Sequence, residues 1–167
     1  MMMGAAPELE DIGGWINSGP LTLKGLRGRV VFLDFWTYGC YNCQNTLPEM
    51  KELHAKYGKE GLVIIGVHTP EFPYERKREN VERAVASAGL AYPIALDSKN
   101  TTWKLYGNHY WPRQTIIDHN GEVAYEHVGE GGYEEMEAKV VELLEEARGL
   151  GISVPELAGV GTAARVE

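Results

Sequence analysis

Val30-Val31-Phe32-Leu33-Asp34-Phe35-Trp36-Thr37-Tyr38-Gly39-Cys40-Tyr41-Asn42-Cys43 decides how the chain folds. Its first seven residues are apolar, β-branched or aromatic apart from one acid, the pattern of a strand covered on both faces. After Gly39 the period changes. Cys43, Leu47, Met50 and Leu53 recur at steps of three and four, one face of a helix over residues 40–57, with Pro48 inside it and Gly58 and Gly61 closing it. A Cys-x-x-Cys therefore stands where a buried strand hands over to a helix.

Further along, residues 62–67 form a second apolar run and residues 76–88 a helical pattern stopped by Gly89. Ile94-Ala95-Leu96 is a short strand candidate, and residues 100–106 suggest one or two helical turns. Residues 113–118 and 122–127 flank His119-Asn120-Gly121, a hairpin signal. Residues 134–148 make the last helix, with Met136, Val140, Leu143, Leu144 and Ala147 on its inner face. Upstream, Ile16, Leu21 and Leu23 around Ser18-Gly19-Pro20 predict a short hairpin or strand pair. Early βαβ units imply parallel strands and the late hairpin antiparallel ones, hence an α/β fold with a mixed central sheet, helices on both faces and an N-terminal β extension. The expected division is an irregular lead-in at 1–13, one domain at 14–148 and a loosely held tail at 149–167.

The 167 residues suffice for one self-supporting core. Sixteen basic against 24 acidic residues leave a formal charge of −8, which argues against nucleic acid and anionic membrane surfaces as partners. No apolar stretch reaches transmembrane length, and residues 1–10 lack the basic and apolar regions of a signal peptide. Two compartments fit: the cytoplasm, or the cell envelope if a leader or anchor was removed.

Both cysteines of the chain lie in the one motif. Zinc would need two more ligands, and the five histidines show no paired spacing, so neither metal nor cofactor is expected. Disulfide exchange fits better. Cys40 in the first helical turn lies near unpaired N–H groups and the positive end of the helix dipole, which favour a thiolate. Cys43, one turn on and on the apolar face, is expected to be sheltered. The first sulfur attacks a disulfide and the second resolves the mixed intermediate. Asp34 is costly to bury as a charge. Either it stays protonated and exchanges a proton with Cys43, or strand alternation turns it to a polar pocket. Trp111-Pro112 precedes the apolar Thr115-Ile116-Ile117, a place where proline is tolerated only at a strand's start.

The segment from Leu33 to Cys43 with Leu47-Pro48 resembles the active site of thioredoxin-like proteins, closest to the TlpA/ResA-like and DipZ-type branch. Gly66-Val67-His68-Thr69-Pro70-Glu71-Phe72 and Tyr110-Trp111-Pro112 also look like that branch. The resemblance covers roughly residues 12–147. It implies a thioredoxin fold, Cys40 as attacking and Cys43 as resolving thiol, Asp34 as the buried acid, and Pro112 as a cis-proline facing the disulfide. It places Trp36, Tyr41, Asn42 and Trp111 at the substrate and offers Glu71 as a possible acid/base near the cysteines. Implied partners are disulfide-bearing proteins and an upstream electron donor, with the chain a monomer and a reductant by family habit; envelope location is the family's habit too. Tyr41-Asn42 replaces the Gly-Pro of thioredoxins, which changes the dipoles felt by Cys40, and the bulk of Trp111 suggests a narrower range of partners.

Two rivals come from other classes. Thr37-x-x-Cys40 is half of a peroxiredoxin signature whose proline position holds Leu33. A non-catalytic binding module, such as a copper or haem-pathway chaperone, would draw on Met and His ligands, but Met1-Met2-Met3 is the only methionine cluster.

Overall fold

The computed structural model describes residues 4–157. The elements run β1 (Trp15–Ile16), β2 (Val30–Trp36), α1 (Tyr41–Tyr57), β3 (Leu62–His68), α2 (Arg78–Ala88), β4 (Ile94–Leu96), α3 (Thr101–Leu105), β5 (Arg113–Ile117), β6 (Val123–Val128) and α4 (Tyr133–Gly149). They form one six-stranded sheet of order β1-β4-β3-β2-β5-β6. β2 lies at its heart, parallel to β3 and antiparallel to β5.

Every residue of β2 and β3 is buried, as continuous apolar strands require. Alternation divides β2 between two cores. Val30, Phe32 and Trp36 pack under α1, α2 and α4, with Cys43, Met50, Val85 and Val140. Val31, Leu33 and Phe35 face the opposite way, towards Trp103 and Tyr106 around α3 and towards Leu23 and Leu26. The predicted inner face of α4 is buried throughout. Helices thus cover both faces of a mixed sheet.

The expected N-terminal hairpin does not form. β1 pairs antiparallel with β4, about eighty residues downstream, through Trp15↔Ala95 and Ile16↔Ile94. Asn17 turns the chain at φ 71°, and its amide donates to the carbonyls of Leu90 and Tyr92 at 2.8 and 2.9 Å. Leu23 then belongs to a short 3-10 turn region over Lys24–Leu26 in the other core. The lead-in is also held: Ala5 bridges to Glu122, and Ala6, Leu9 and Ile12 pack on the α3-side core. In the stretch expected to be a loose tail, the Pro155 carbonyl accepts from Arg29 Nε at 2.8 Å, and Leu157 packs on the same core. Residues 158–167 of that stretch lie outside the described residues.

The carboxyl ends of β2 and β3 and the start of β5 meet at one end of the sheet, because β5 runs opposite to its neighbour. That end carries both cysteines.

Candidate active site

Cys40 is the N-cap of α1, with φ −90° and ψ 118°, and its Sγ accepts the backbone N–H of Cys43 at 3.2 Å. The sequence puts it in the first turn; the structure places it one position earlier, where a side-chain acceptor meets the unpaired donors of a helix. Cys40 is half-buried and Cys43 fully buried, and both are free. Burial, the Cys40 contact and the Asp34 charge push the Cys43 thiol far above its ordinary range, the first being the largest cause. One sulfur is presented to solvent and its neighbour is kept as a sheltered thiol.

Asp34 is fully buried, on the same side of β2 as Trp36 and α1. Desolvation raises its carboxyl from 3.8 to about 7. The cross-strand Gln114 acts in the other direction, although among the described residues neither Asp34 oxygen has a well-formed hydrogen bond. Beside Asp34, Gly66 on β3 leaves a gap filled by aromatic edges. A Cβ there would lie 2.9 Å from Trp36 Nε1 and 3.2 Å from Tyr92 Cε1. The Tyr92 hydroxyl is buried and has no hydrogen-bond partner among the described residues, and the Asp34 charge raises its pKa further after burial has done so. Tyr92 was not singled out from the sequence, where it is one tyrosine in a short loop.

The Trp111–Pro112 peptide bond is cis, and Pro112 is buried at the start of β5. Trp111 stacks on Trp103 with centroids 4.0 Å apart, and its Nε1 donates to the Thr69 carbonyl at 2.9 Å. The indole is therefore pinned towards α3. Tyr41 and Asn42 are exposed beside Cys40. Trp36 corrects an expectation: at 1% exposure it is a core side chain, out of a partner's reach, because it shares the inward face of β2 with Phe32 and Asp34.

Glu71 is exposed, and a second acid, Glu75, four residues on and 1% exposed, lies against the cysteine loop. Glu75 Oε1 accepts from Thr37 Oγ1 at 2.7 Å and from the N–H groups of Glu71 and Phe72 at 2.7 and 3.2 Å. On the same loop, Tyr38 N–H donates to His68 Nε2 at 3.2 Å, and burial lowers that imidazole to about 3. Thr37 carbonyl in turn accepts the Cys40 N–H. Glu75 heads the charged run Glu75-Arg76-Lys77-Arg78, which reads as solvated surface, so no periodic signal marks it.

Gly39 makes room for this arrangement. A Cβ at residue 39 would stand 2.2 Å from Glu75 Oε2, an atom held by the three bonds to its twin oxygen. Gly39→Ala should therefore displace Glu75, strand buried donors and lower the unfolding free energy by about 3 kcal/mol. Urea denaturation measures this, with Gly58→Ala, whose added methyl meets only ordinary contacts, expected to stay within about 0.5 kcal/mol. Equal midpoints for the two variants would refute the steric account.

Comparison with known proteins agrees with this geometry. The chain matches the AhpC/TSA family model over residues 5–126. It is 44% identical over 156 residues to Protein DipZ of Mycobacterium tuberculosis, covering 92% of this chain and 22% of that protein. With the thiol-disulfide oxidoreductase ResA of Halalkalibacterium halodurans it shares 32% identity over 136 residues, 81% of this chain and 72% of ResA. The solved structure of a Chlorobium tepidum protein assigned as thiol:disulfide interchange protein DsbE superposes with a TM-score of 0.76 at 29% identity, over 86% of this chain and 99% of the other. Fold, cysteine pair and these relatives define a thioredoxin-fold thiol–disulfide oxidoreductase, of the TlpA/ResA/DipZ type that the sequence motifs resemble. The chain belongs to the AhpC/TSA family. It spans about a fifth of the length of the DipZ proteins it matches.

Proposed function

We propose that the chain is a protein-disulfide reductant in which Cys40 attacks, Cys43 resolves and Asp34 handles the resolving proton. The Cys40 thiolate displaces one sulfur of a partner's disulfide, which leaves and takes up a proton. Cys43 then gives its proton to the Asp34 carboxylate and attacks Cys40 Sγ, closing the Cys40–Cys43 bond and releasing the partner's second sulfur as a thiolate, which takes up a proton from solvent. Two electrons pass from the dithiol to the partner, and a thiol donor upstream restores the pair. Pro112, buried beside this end of the sheet, and the exposed Tyr41 and Asn42 frame the approach of the partner's backbone.

The observation that carries the reading is the unlike pair itself: Cys40 half-exposed at a helix N-cap, Cys43 buried behind it and above Asp34. The reducing direction is supported by how little holds the Cys40 sulfur. Among the described residues its hydrogen-bond donors both come from Cys43, the backbone N–H and the thiol, whereas a strongly oxidising couple needs a heavily stabilised reduced form. Resemblance to the TlpA/ResA branch supports work outside the cytoplasm. No described helix is long and apolar enough to cross a membrane. A peroxidase role is disfavoured by Thr37, whose hydroxyl is given to Glu75.

Equilibration with glutathione or a reference dithiol, read by thiol alkylation, gives the potential of the couple. It is expected near the thioredoxin value of about −270 mV. A potential above about −180 mV would make the chain an oxidant or isomerase and overturn the direction.

A further inference from the structure

Around Trp103, on which Trp111 of the cis peptide stacks, the structure holds an open groove of about 560 Å³. One wall is Pro70 and Glu71, just after β3; the other is α3 with residues 107–109, and Trp103 lies between. Trp111 ties the walls together, stacking on Trp103 and donating to the Thr69 carbonyl. A segment lying in this groove would therefore pass Trp103, on which the residue before Pro112 is stacked.

Its charge is opposite to that of the chain. Arg76, Lys99 and Lys104 line it, with Glu71 the one acid, on a protein of formal charge −8. Arg76 and Lys104 make no ion pair among the described residues, and Lys99 reaches only the Asp11 carboxylate at 3.8 Å. Arg76 and Lys104 are thus cations without an internal partner among the described residues. A second observation concerns Asn108, which also lines the groove. It is 5% exposed, yet among the described residues neither Oδ1 nor Nδ2 has a hydrogen-bond partner. A buried primary amide left unpaired is costly, and such groups mark places where a partner completes the bonding.

We propose that this groove docks an acidic stretch of the disulfide-bearing protein partner, flanking its reactive cysteine. Carboxylates of the segment pair with Arg76, Lys99 and Lys104, while its polar backbone meets Asn108. The dock is joined to Pro112 through the Trp111–Trp103 stack, so it feeds the scissile disulfide towards Cys40 and selects among partners by charge. This inference rests on the disulfide-exchange reading above.

The test uses the reduced full chain and three disulfide-bridged peptides of one sequence, with Glu, Ser or Lys beside the cysteine. At about 20 mM salt the Glu peptide should show a kcat/KM about tenfold above the Ser peptide, with the Lys peptide below both. At about 0.5 M salt the spread should close to within about twofold. The double variant Arg76→Glu with Lys104→Glu should reverse the order, while turnover of uncharged hydroxyethyl disulfide stays unchanged. Normal turnover of that small compound with equal peptide rates, or a Glu preference that survives the double variant, would overturn the groove alone. Failure to reduce even hydroxyethyl disulfide would overturn the disulfide-exchange reading along with it.

Discussion

Cys40→Ser abolishes reduction of insulin disulfides, with an expected loss of at least about 10³-fold, because a serine hydroxyl is not ionised near neutrality and forms no mixed disulfide. Cys43→Ser gives a different failure. Cys40 still sits at the N-cap and still attacks, since the backbone donor to its Sγ is the N–H of residue 43, which serine retains. The sulfur that resolves is gone. The partner should therefore accumulate covalently on Cys40 and appear as a higher band on a non-reducing gel, which reductant removes. Insulin turbidity and that gel together check the assignment. Full turnover by Cys40→Ser, or trapping through Cys43 in its place, would sink the proposed roles.

The second large effect is a gain in stability. Asp34 is fully buried and binds its proton up to about pH 7, whereas the unfolded chain releases it near 3.8. Between these values the native state holds more protons than the unfolded one, so this group's contribution to stability falls as pH rises. The loss begins near pH 4, levels off above about 7 and amounts to about 4 kcal/mol. Asp34→Asn removes the titration but keeps the shape. The variant should match wild type near pH 4 and exceed it by about 4 kcal/mol at pH 8, read from urea denaturation at several pH values. His68 supplies an opposing slope. Burial holds it neutral down to about 3, below the ordinary 6.5, so its contribution is lost as pH falls through that window. In wild type the two slopes offset each other between about pH 4 and 6.5, and Asp34→Asn should expose the His68 slope. A difference between variant and wild type that stays constant with pH would refute the account. The same substitution should slow resolution of the mixed disulfide by about 10²-fold, since Cys43 loses its proton acceptor. Stability gained against activity lost is the expected mark of a buried charge kept for chemistry.

The order of strands and helices was legible because the signals are local. An unbroken apolar run such as 62–67 and the stepped apolar positions of α4 carry their own burial pattern. Cys43 was legible as the sheltered thiol because it shares the helical stripe of Leu47, Met50 and Leu53. Trp36 was placed at the substrate by likeness of motif, though its parity with Phe32 points inward. β1 was misread because an isolated two-residue strand carries no mark of its partner, and Ala95 is chosen only when Asn17 reaches the carbonyls of Leu90 and Tyr92. Glu75 was not legible because a loop's backbone path, not its composition, decides which carboxylate turns inward.

By itself the sequence determined the sheet's central strand, the helix that follows it and the two thiols at their junction, since each depends on spacing along a few consecutive residues. Only the tertiary structure decided what surrounds those thiols. Glu75 and His68 come back to hold residues 37 and 38, Tyr92 fills the gap over Gly66, and Arg76, Lys99 and Lys104 gather in one groove around Trp103. Contacts between residues dozens of positions apart are set by packing of the whole chain, and no local pattern of side chains encodes them.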